Sequence, residues 1–452
     1  MTYQHLGRER RRLTATVADL EVPRQRAFLV GVRLGRNSSL EVEQSLEELA
    51  LLTDTAGSEP VDREVFSRPA PDPGLFIGKG QASSVADITK AEDIDVVVFD
   101  NALAPAQQRN LQELFECDVV DREAVILDIF AQHATSREGA LQVELALLRY
   151  RLPRLRGTGE ELSQQAGGIG TRGPGETRLE SDRRRIRQKI TSLEKDLSTL
   201  RRQNQTRRHS RVQAAVPIIA LVGYTNAGKS TLLNQLTGAG VLTEDRLFTT
   251  LDPTIRRLRL PGGREILMAD TVGFVRRLPH RLVEAFQSTL EEVRDADLIL
   301  HVVNAADPDP EGQITAVREV LAEIGADSAP TIIVANKIDE ASPTVVRRLV
   351  GSGETAVAVS ALTGEGTEQL METLIHWLNA RSSTISVRVP YDRGDALAAL
   401  HRTGEVLSST EGPNGMDLVV RLPPDQVSRF SAFVSDQTCN PLRSSAEDTN
   451  PG

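Results

Sequence analysis

A glycine-rich segment at residues 223–230 reads Gly-Tyr-Thr-Asn-Ala-Gly-Lys-Ser and fits the pattern of a phosphate-binding loop. It follows an apolar stretch at residues 218–222 and opens a helical stretch at residues 230–236, which is the context that such a loop requires. Glycines let backbone N–H groups approach phosphates, the amino end of a helix favours anions, and Lys229 can reach the terminal phosphates. Ser230 is the expected Mg²⁺ ligand. This context disfavours the alternative, a glycine turn before an ordinary helix.

A second polar segment, residues 270–273, reads Asp-Thr-Val-Gly and follows the apolar residues 266–269. Open α/β sheets bind ligands at the carboxyl ends of their strands, and this order places a carboxylate there. We expect Asp270 to hold Mg²⁺ through a water molecule and the Gly273 N–H to meet the γ-phosphate. The pattern alone is typical of a common turn. Behind a phosphate loop and a strand, it indicates a loop that orders with a triphosphate and relaxes after hydrolysis.

Base recognition is predicted at residues 336–339, Asn-Lys-Ile-Asp, which follow another apolar stretch. The Asp339 carboxylate can accept hydrogen bonds from the ring N–H and the exocyclic amine of guanine, a donor pair that adenine lacks. An unpaired buried carboxylate would penalise ATP, so this segment favours GTP. Residues 360–361, Ser-Ala, supply the backbone donor expected for the guanine carbonyl. So short a pattern is common by itself, but its place as the third in this order indicates a guanine nucleotide.

The loop at residues 248–254, Phe-Thr-Thr-Leu-Asp-Pro-Thr, lies between the first two segments and is of the kind that closes over Mg²⁺. Its threonines are candidates for the second hydroxyl ligand of the ion. We favour Thr250, with Thr249 as the alternative and an incidental surface loop as the other interpretation. The predicted nucleotide contacts are Gly223, Tyr224, Thr225, Asn226, Ala227, Gly228, Lys229, Ser230, Thr231, Phe248, Thr249, Thr250, Asp270, Thr271, Val272, Gly273, Asn336, Lys337, Asp339, Ser360 and Ala361.

No His or Glu is placed as an evident general base, and the seven histidines show no metal-ligand spacing. Catalysis is therefore expected from positioning and charge stabilisation, with Lys229, Thr250 and Gly273 as the catalytic residues beside Mg²⁺. Phe274 occupies the position where many small GTPases carry a glutamine that orients water. A benzyl side chain cannot make that hydrogen bond, so we expect slow intrinsic hydrolysis that needs the help of a partner.

The composition limits the classes of protein to which the chain can belong. Its 452 residues exceed what one hydrophobic core usually serves, so several domains are expected. The formal net charge of -10 argues against a protein that coats nucleic acid throughout. The two cysteines, Cys117 and Cys439, support neither a disulfide framework nor a cysteine zinc site. With no apolar secretory signal and no run of about 18 apolar residues, a soluble, cytoplasmic protein is predicted.

Strand-like and helix-like stretches alternate in two regions, which predicts an α/β multidomain protein. The predicted segments are a polar leader expected to be disordered (1–24), an amino-terminal α/β domain (25–137), a basic helical coiled-coil hairpin with a Gly-rich tip (138–212), a P-loop GTPase domain with a mostly parallel sheet and flanking helices (213–382), a small carboxyl-terminal α+β domain (383–436) and a tail expected to be disordered (437–452). Strands of the GTPase domain are predicted at 218–222, 266–269, 298–303, 331–335 and 356–359.

The hairpin is predicted from two apolar seams at helical spacing, joined by a stretch rich in glycine. The second seam comprises Leu179, Ile186, Ile190, Leu193, Leu197 and Leu200. Residues 172–211 contain thirteen Lys or Arg against five Asp or Glu, a local net charge of +8. This concentration favours nucleic-acid binding, with a solvated coiled-coil face as the alternative. The candidate RNA contacts are Arg172, Arg178, Arg183, Arg184, Arg185 and Arg187.

Residues 168–180, Gly-Ile-Gly-Thr-Arg-Gly-Pro-Gly-Glu-Thr-Arg-Leu-Glu, resemble the signature of the HflX family of translation-associated GTPases. Residues 142–146 and 150–154 precede this signature and are similar to the same family. Phe274 also matches, since that family belongs to a group with a hydrophobic residue in place of the glutamine. Residues 107–110 and 127–132 resemble the family's amino-terminal domain, so that the resemblance covers residues 25–435.

The resemblance implies a ribosome partner, chiefly the large subunit, with GTP-dependent dissociation or rescue of stalled ribosomes and ribosome-stimulated hydrolysis. It also implies that the hairpin tip probes the peptidyl-transferase region while arginines contact RNA phosphates. Asn226 matches the phosphate-loop Asn of potassium-activated relatives, which suggests K⁺ beside the phosphates. A cytoplasmic monomer, partly ribosome-associated, is expected. Two other functions stay open: a nucleotide-switched RNA-binding or ribosome-assembly scaffold, and an RNA-remodelling ATPase, although residues 25–135 contain no phosphate loop of the P-loop type.

Overall fold

A computed structural model of the chain describes residues 24–35, 38–155, 174–213, 216–238, 247–248, 254–261, 264–276, 287–351, 353–422 and 424–435. Several predicted features lie outside these residues: the leader up to residue 23, the Gly-rich tip with Arg172, the residues Thr249 and Thr250, and the tail from residue 436. For residues 174–179 the backbone alone is described, so the predicted contact of the Arg178 side chain also lies outside the description.

The chain divides into two compact units. The first draws on Met1–Arg201, Asp245–Asp252 and Arg276–Gln287, and the second on Arg202–Glu244, Pro253–Val275 and Ser288–Gly452. The six segments expected from the sequence stay a prediction. Within the described ranges, no helix has both the length and the apolar character needed to cross a membrane.

Strands and helices alternate in the first unit, in the order β1 (Gln25–Leu34), α1 (Ser39–Thr55), β2 (Ser58–Arg68), α2 (Lys79–Ala91), β3 (Val96–Phe99), α3 (Pro105–Phe115), β4 (Asp118–Asp121) and α4 (Arg122–His133). The strands form a four-stranded parallel sheet in the order β2-β1-β3-β4. Phe28, Phe99 and Phe115 lie in its core. Ser38 and Glu41 form a capping box that starts α1. The predicted amino-terminal α/β architecture is confirmed.

The hairpin consists of α5 (Arg137–Arg151) and α6 (Pro174–Gln213), of which α6 belongs to the first unit as far as Arg201. Leu145 of α5 packs with Leu193 and Leu197 of α6 in a small buried cluster. Nearer the tip, the Arg183 guanidinium donates to the Leu155 carbonyl at 3.4 Å. Later residues of the first segment therefore contact earlier residues of α6, so the two helices run antiparallel. Among the described side chains of the predicted seam, the buried ones are Leu193 and Leu197, in its carboxyl-terminal half.

The second unit contains the larger sheet, built from β5 (Ile218–Gly223), α7 (Lys229–Thr237), β6 (Thr254–Arg259), β7 (Glu265–Asp270), α8 (Gln287–Arg294), β8 (Leu298–Asn304), α9 (Pro310–Glu323), β9 (Thr331–Asn336), α10 (Pro343–Val350), β10 (Ala356–Ala358) and α11 (Thr367–Ala380). Its six strands follow the order β10-β9-β8-β5-β7-β6, and only the β6–β7 pair is antiparallel. The predicted P-loop GTPase fold is confirmed. The edge strand β6 was not predicted, because its arginines break the apolar pattern.

The carboxyl-terminal residues of the second unit form β11 (Ser383–Val389), α12 (Gly394–Thr403), β12 (Glu405–Gly412), β13 (Gly415–Leu422) and α13 (Pro424–Val427). The sheet is antiparallel in the order β11-β13-β12. The Arg264 guanidinium, which lies before β7, donates to Glu405 at 2.7 Å and to Asn379 at 2.8 Å, and so connects this sheet to the larger one. The predicted small α+β domain is confirmed, and its sheet has three strands.

Candidate nucleotide site

The segment between β5 and α7 is the predicted phosphate loop, and its backbone bends where two residues take positive φ angles. Asn226 has φ +58° and Gly228 has φ +87°. A Cβ atom at Gly228 would also collide with the Nδ2 atom of Asn336, so glycine is required there on two independent grounds. The turn ends as Lys229 begins α7 at its amino end. Backbone N–H groups and a helix dipole consequently converge at the carboxyl end of β5.

Lys229 is the buried cation of the site, with 6% of its surface exposed. Its ammonium donates to the carbonyls of Gly223 at 3.1 Å and Tyr224 at 2.9 Å. Burial lowers the pKa of Lys229 to about 8, although the carboxylate of Asp270 acts in the opposite direction. A phosphate beside this ammonium would restore the charged form that burial disfavours.

Ser230 and Asp270 lie together across the loop. The Ser230 hydroxyl donates to Oδ2 of Asp270 at 2.6 Å, and the carboxylate is buried at the carboxyl end of β7. Hydroxyl and carboxylate oxygens are the ligands that Mg²⁺ prefers in proteins. The two predicted magnesium-holding side chains are therefore adjacent, and their chemistry fits the ion.

Phe274 is joined to the phosphate loop by backbone hydrogen bonds, and Gly273 lies close against the same loop. The Thr225 N–H donates to the Phe274 carbonyl at 2.7 Å, and the Phe274 N–H donates to the Gly223 carbonyl at 3.1 Å. A Cβ at Gly273 would lie 2.9 Å from the Thr225 Cα and 3.1 Å from the Lys229 Nζ. Only glycine permits this approach. Beside the donor role expected for the Gly273 N–H, the structure adds this steric requirement.

Asn336 connects the base-recognition segment to the phosphate loop. Its Nδ2 donates to the Ala227 carbonyl at 2.8 Å, and its Oδ1 accepts from the Ala361 N–H at 2.9 Å. Asn336 is thus a buried brace between three loops. The Ala361 N–H, expected to meet the guanine carbonyl, is engaged within the protein here, and its contact with guanine stays a prediction. Asp339 lies exposed in the turn after β9, where its carboxylate is accessible.

The remaining predicted contacts occupy different positions. Tyr224, Ala227 and Val272 are buried, and the Thr271 hydroxyl donates to the Leu221 carbonyl at 2.7 Å. Thr231 is half-buried on α7, Ser360 is buried, and Lys337 lies within 3.4 Å of the Asn226 Oδ1. Phe248 is assigned to the first unit, where its ring packs edge to face against Phe130 at 4.7 Å. A contact between Phe248 and nucleotide therefore stays a prediction.

The candidate RNA contacts on α6 differ in accessibility. Arg184, Arg185 and Arg187 are exposed, and Arg185 lies 3.7 Å from Asp182. Arg183 is half-buried by its contact with the Leu155 carbonyl, which indicates that it supports the hairpin. The exposed three are the better-placed arginines for a polyanion.

Sequence reasoning named Thr225 as a nucleotide contact but gave its hydroxyl no role of its own. It did not identify the buried His301 in β8, which is 1% exposed and whose Nδ1 has no hydrogen-bond partner among the described residues. Burial, with the charges of Arg318 and Lys229, lowers the pKa of His301 to about 3, so the imidazole is neutral at physiological pH. Its place inside an apolar run was the signal that could have identified it as a core residue.

Three family models match the chain. They are described as "GTP-binding GTPase N-terminal" over residues 43–131, "GTP-binding GTPase Middle Region" over residues 133–211 and "50S ribosome-binding GTPase" over residues 218–337. Together they span both units.

Two curated relatives, both called GTPase HflX, are each 44% identical to the chain. The one from Lacrimispora saccharolytica aligns over 407 residues, 90% of this chain and 96% of the relative. The one from Escherichia coli strain K12 aligns over 402 residues, 88% and 94%. Among solved structures, a GTP-binding protein from the archaeon Sulfolobus solfataricus in complex with GDP is 23% identical. It has a TM-score of 0.41, and the match covers 78% of this chain and 98% of that one.

Proposed function

The chain belongs to the HflX family of GTPases, and from that premise we propose that it binds the ribosome, chiefly the large subunit, and dissociates or rescues stalled ribosomes. It binds and hydrolyses GTP, giving GDP and phosphate, as its family does. The observation that carries the proposal is the match of residues 218–337 to a family described as ribosome-binding on the 50S subunit. Ribosome-stimulated hydrolysis belongs to the same proposal.

The residues of the site account for how GTP is held and activated. Lys229 neutralises the terminal phosphates from a buried position, and the Gly273 N–H donates to the γ-phosphate. Ser230 and Asp270 would hold Mg²⁺, which would offset the negative charge that develops on the phosphate oxygens. Thr250 is proposed as the second hydroxyl ligand.

Base and cation selection are assigned to two further side chains. Asp339 would pair with the ring N–H and amine of guanine. Asn226 is proposed as a ligand of K⁺. Its Oδ1 lies 3.4 Å from the Lys337 ammonium, so this oxygen already faces a positive charge, which supports the proposal.

The hairpin supplies the proposed RNA-binding surface. Positive charge in residues 172–211 is concentrated in a chain that is acidic overall. Arg184, Arg185 and Arg187 project from α6 into solvent and would contact ribosomal RNA phosphates. We place the protein in the cytoplasm as a monomer, in part on ribosomes.

Sedimentation of ribosomes with the full chain tests the proposal. With a non-hydrolysable GTP analogue, the protein should migrate with large subunits and intact ribosomes should split, while GDP should support neither. Purified large subunits should also raise the GTP hydrolysis rate severalfold or more. Flat hydrolysis and no co-migration would overturn the ribosome assignment. Co-migration without splitting would favour the scaffold function.

A charge variant tests the hairpin surface. Changing Arg184, Arg185 and Arg187 to Gln should weaken ribosome binding and reduce the dependence of binding on salt. The reason is that each phosphate contact that is lost lowers the number of counterions released on binding. The matched control changes three exposed arginines of the second unit, Arg347, Arg348 and Arg402, to Gln. Equal loss in both variants, or none in the hairpin variant, would mean that α6 is a solvated face.

A further inference from the structure

The Thr225 side chain lies beside two groups that are expected to face the γ-phosphate. Its Cγ2 lies 2.8 Å, and its Cα 2.9 Å, from the position that a Cβ on Gly273 would take, and the Lys229 Nζ lies 3.1 Å from that same position. Gly273 and Lys229 are the groups expected to meet the γ-phosphate. Thr225 is therefore adjacent to both from the phosphate-loop side.

The Thr225 hydroxyl is buried and unsatisfied. The residue is 6% exposed, and its Oγ1 has no hydrogen-bond partner among the described residues. Buried hydroxyls in folded proteins are nearly always paired, so an unpaired one calls for a ligand or a water molecule. The backbone of Thr225 is fixed by its N–H bond to the Phe274 carbonyl at 2.7 Å, which leaves the side chain in a defined place.

Phe274 cannot perform the task that a glutamine at its position would perform. Its side chain is apolar and 1% exposed, so it offers no hydrogen bond to water. A GTPase still gains rate when a polar group holds the attacking water in line with the γ-phosphorus. Thr225 is a nearby polar side chain whose hydroxyl has no hydrogen-bond partner among the described residues.

We propose that the Thr225 hydroxyl orients the water that attacks the γ-phosphate. Its oxygen accepts a hydrogen bond from that water, and its own O–H donates to a γ-phosphate oxygen. The water oxygen forms a bond to the γ-phosphorus as the bond to the β–γ bridging oxygen breaks, the electron pair leaves with GDP, and the proton of the water passes to the released phosphate. Thr225 ends the step with the proton that it began with. This role rests on GTP hydrolysis alone and not on ribosome binding.

Isosteric and conservative variants separate the hydroxyl from the rest of the side chain. Thr225→Val keeps the shape and removes the hydroxyl, whereas Thr225→Ser keeps the hydroxyl and removes the methyl group. Thr237→Val is the matched control, because the Thr237 hydroxyl is bonded to the Leu233 carbonyl at the end of α7. Single-turnover GTP hydrolysis by the full chain, without ribosomes, is measured beside the affinities for GDP and a non-hydrolysable GTP analogue. Formation of the complex with GDP and aluminium fluoride gives a second readout.

Thr225→Val should slow hydrolysis by about tenfold or more and should impair the aluminium fluoride complex, as expected for a lost transition-state hydrogen bond. Its nucleotide affinities should change by less than about threefold, because the shape of the loop is kept. Thr225→Ser should stay close to the wild-type rate, as should Thr237→Val. Three results would each overturn the proposal: normal hydrolysis by Thr225→Val, an equal loss in Thr225→Ser, or a loss that follows weakened GTP-analogue binding.

Discussion

Both larger sheets carry polar residues at the carboxyl ends of their parallel strands, but these residues have different bonding partners. In the amino-terminal sheet, the Asp100 carboxylate after β3 accepts from the Arg122 guanidinium at 2.6 and 2.8 Å and from the Ser45 hydroxyl at 2.8 Å. In the GTPase sheet, Lys229 and Thr225 are buried. The Lys229 ammonium donates to the Gly223 and Tyr224 carbonyls, and the Thr225 hydroxyl has no hydrogen-bond partner among the described residues. We call the carboxyl end of the amino-terminal sheet the closed end, because its charged groups pair with one another within the protein. The corresponding end of the GTPase sheet, which is formed by glycines and a buried lysine, is the open end.

Asp121, at the end of β4, shows the same closure. It accepts from the Leu103 and Ala124 N–H groups at 3.1 Å each, and from the Tyr150 hydroxyl at 2.9 Å. Burial and the Asp121 charge raise the pKa of Tyr150, so the phenol stays a donor. This pairing of strand-end carboxylates with buried internal donors distinguishes the amino-terminal sheet from the GTPase sheet, where the buried Lys229 and Thr225 lie beside Gly273. It therefore weighs against the ATPase alternative in the amino-terminal sheet.

The largest effect is expected at the base. Asp339→Asn should lower GTP affinity relative to that for xanthosine triphosphate by about ten-thousandfold, because sites built on hydrogen bonds reject bases that lack the matching groups. Calorimetric titration of the wild type and the variant with each nucleotide separately measures this. The exposed Asp327→Asn is the control and should keep the guanine preference. A variant that still prefers guanine would remove Asp339 from the site.

Disrupting the buried ion pair of the closed end should lower the free energy of unfolding and leave nucleotide binding unchanged. Arg122→Met strands the buried Asp100 beside Glu48, and the loss of one partner of a buried pair costs about 3–5 kcal/mol. Hydrogen exchange of the first unit should speed up accordingly, with unchanged GDP affinity. Arg63→Met, at an exposed 3.5 Å contact with Glu47, should cost less than about 1 kcal/mol. If Arg122→Met weakened GDP binding and Arg63→Met did not, the contrast between the two sheets would be contradicted.

The open end should respond in the opposite manner. Lys229→Ala removes the buried ammonium and should weaken GTP binding by about a hundredfold or more, because charge-assisted hydrogen bonds to phosphate are lost. Exchange in the first unit should be unaffected. Fluorescent-nucleotide titration measures the first effect, and retention of near wild-type affinity would exclude Lys229 from phosphate binding.

The smallest effect is a pH dependence. Lys229 has a pKa of about 8 without phosphate, and phosphate favours its charged form, so binding takes up a proton above that pH. GTP affinity should be flat below pH 8 and fall as pH rises above it, approaching about tenfold per unit. Lys229→Arg keeps its charge and should flatten the profile. A wild-type profile that stays flat to pH 9 would contradict the buried-lysine geometry.

The sequence predicts the candidate site because its three loops follow strands in a fixed order. Position after a strand and glycine spacing are local properties, so residues such as Lys229 and Asp270 could be predicted and placed together. The architecture of both sheets followed from the alternation of apolar segments. The edge strands β6 and β12 were missed because half of each faces solvent and carries arginine or serine in place of an apolar run.

Features that depend on contacts between distant segments could not be predicted. The bracing role of Asn336 depends on hydrogen bonds to Ala227 and Ala361, far from it in the chain. The packing of Phe248 on Phe130 likewise joins residues that no periodicity relates. Within the described part of the chain the Thr225 hydroxyl has no hydrogen-bond partner, and this depends on its three-dimensional surroundings, which no spacing in the sequence encodes.

Calorimetric titration of the full chain with GDP, in the presence and absence of excess ATP, tests the central claim most directly. One GDP should bind per chain, with an affinity that ATP does not reduce, because the guanine-selective loops of the second unit form the nucleotide site. Equal competition by ATP, or the absence of a GDP complex, would contradict the account.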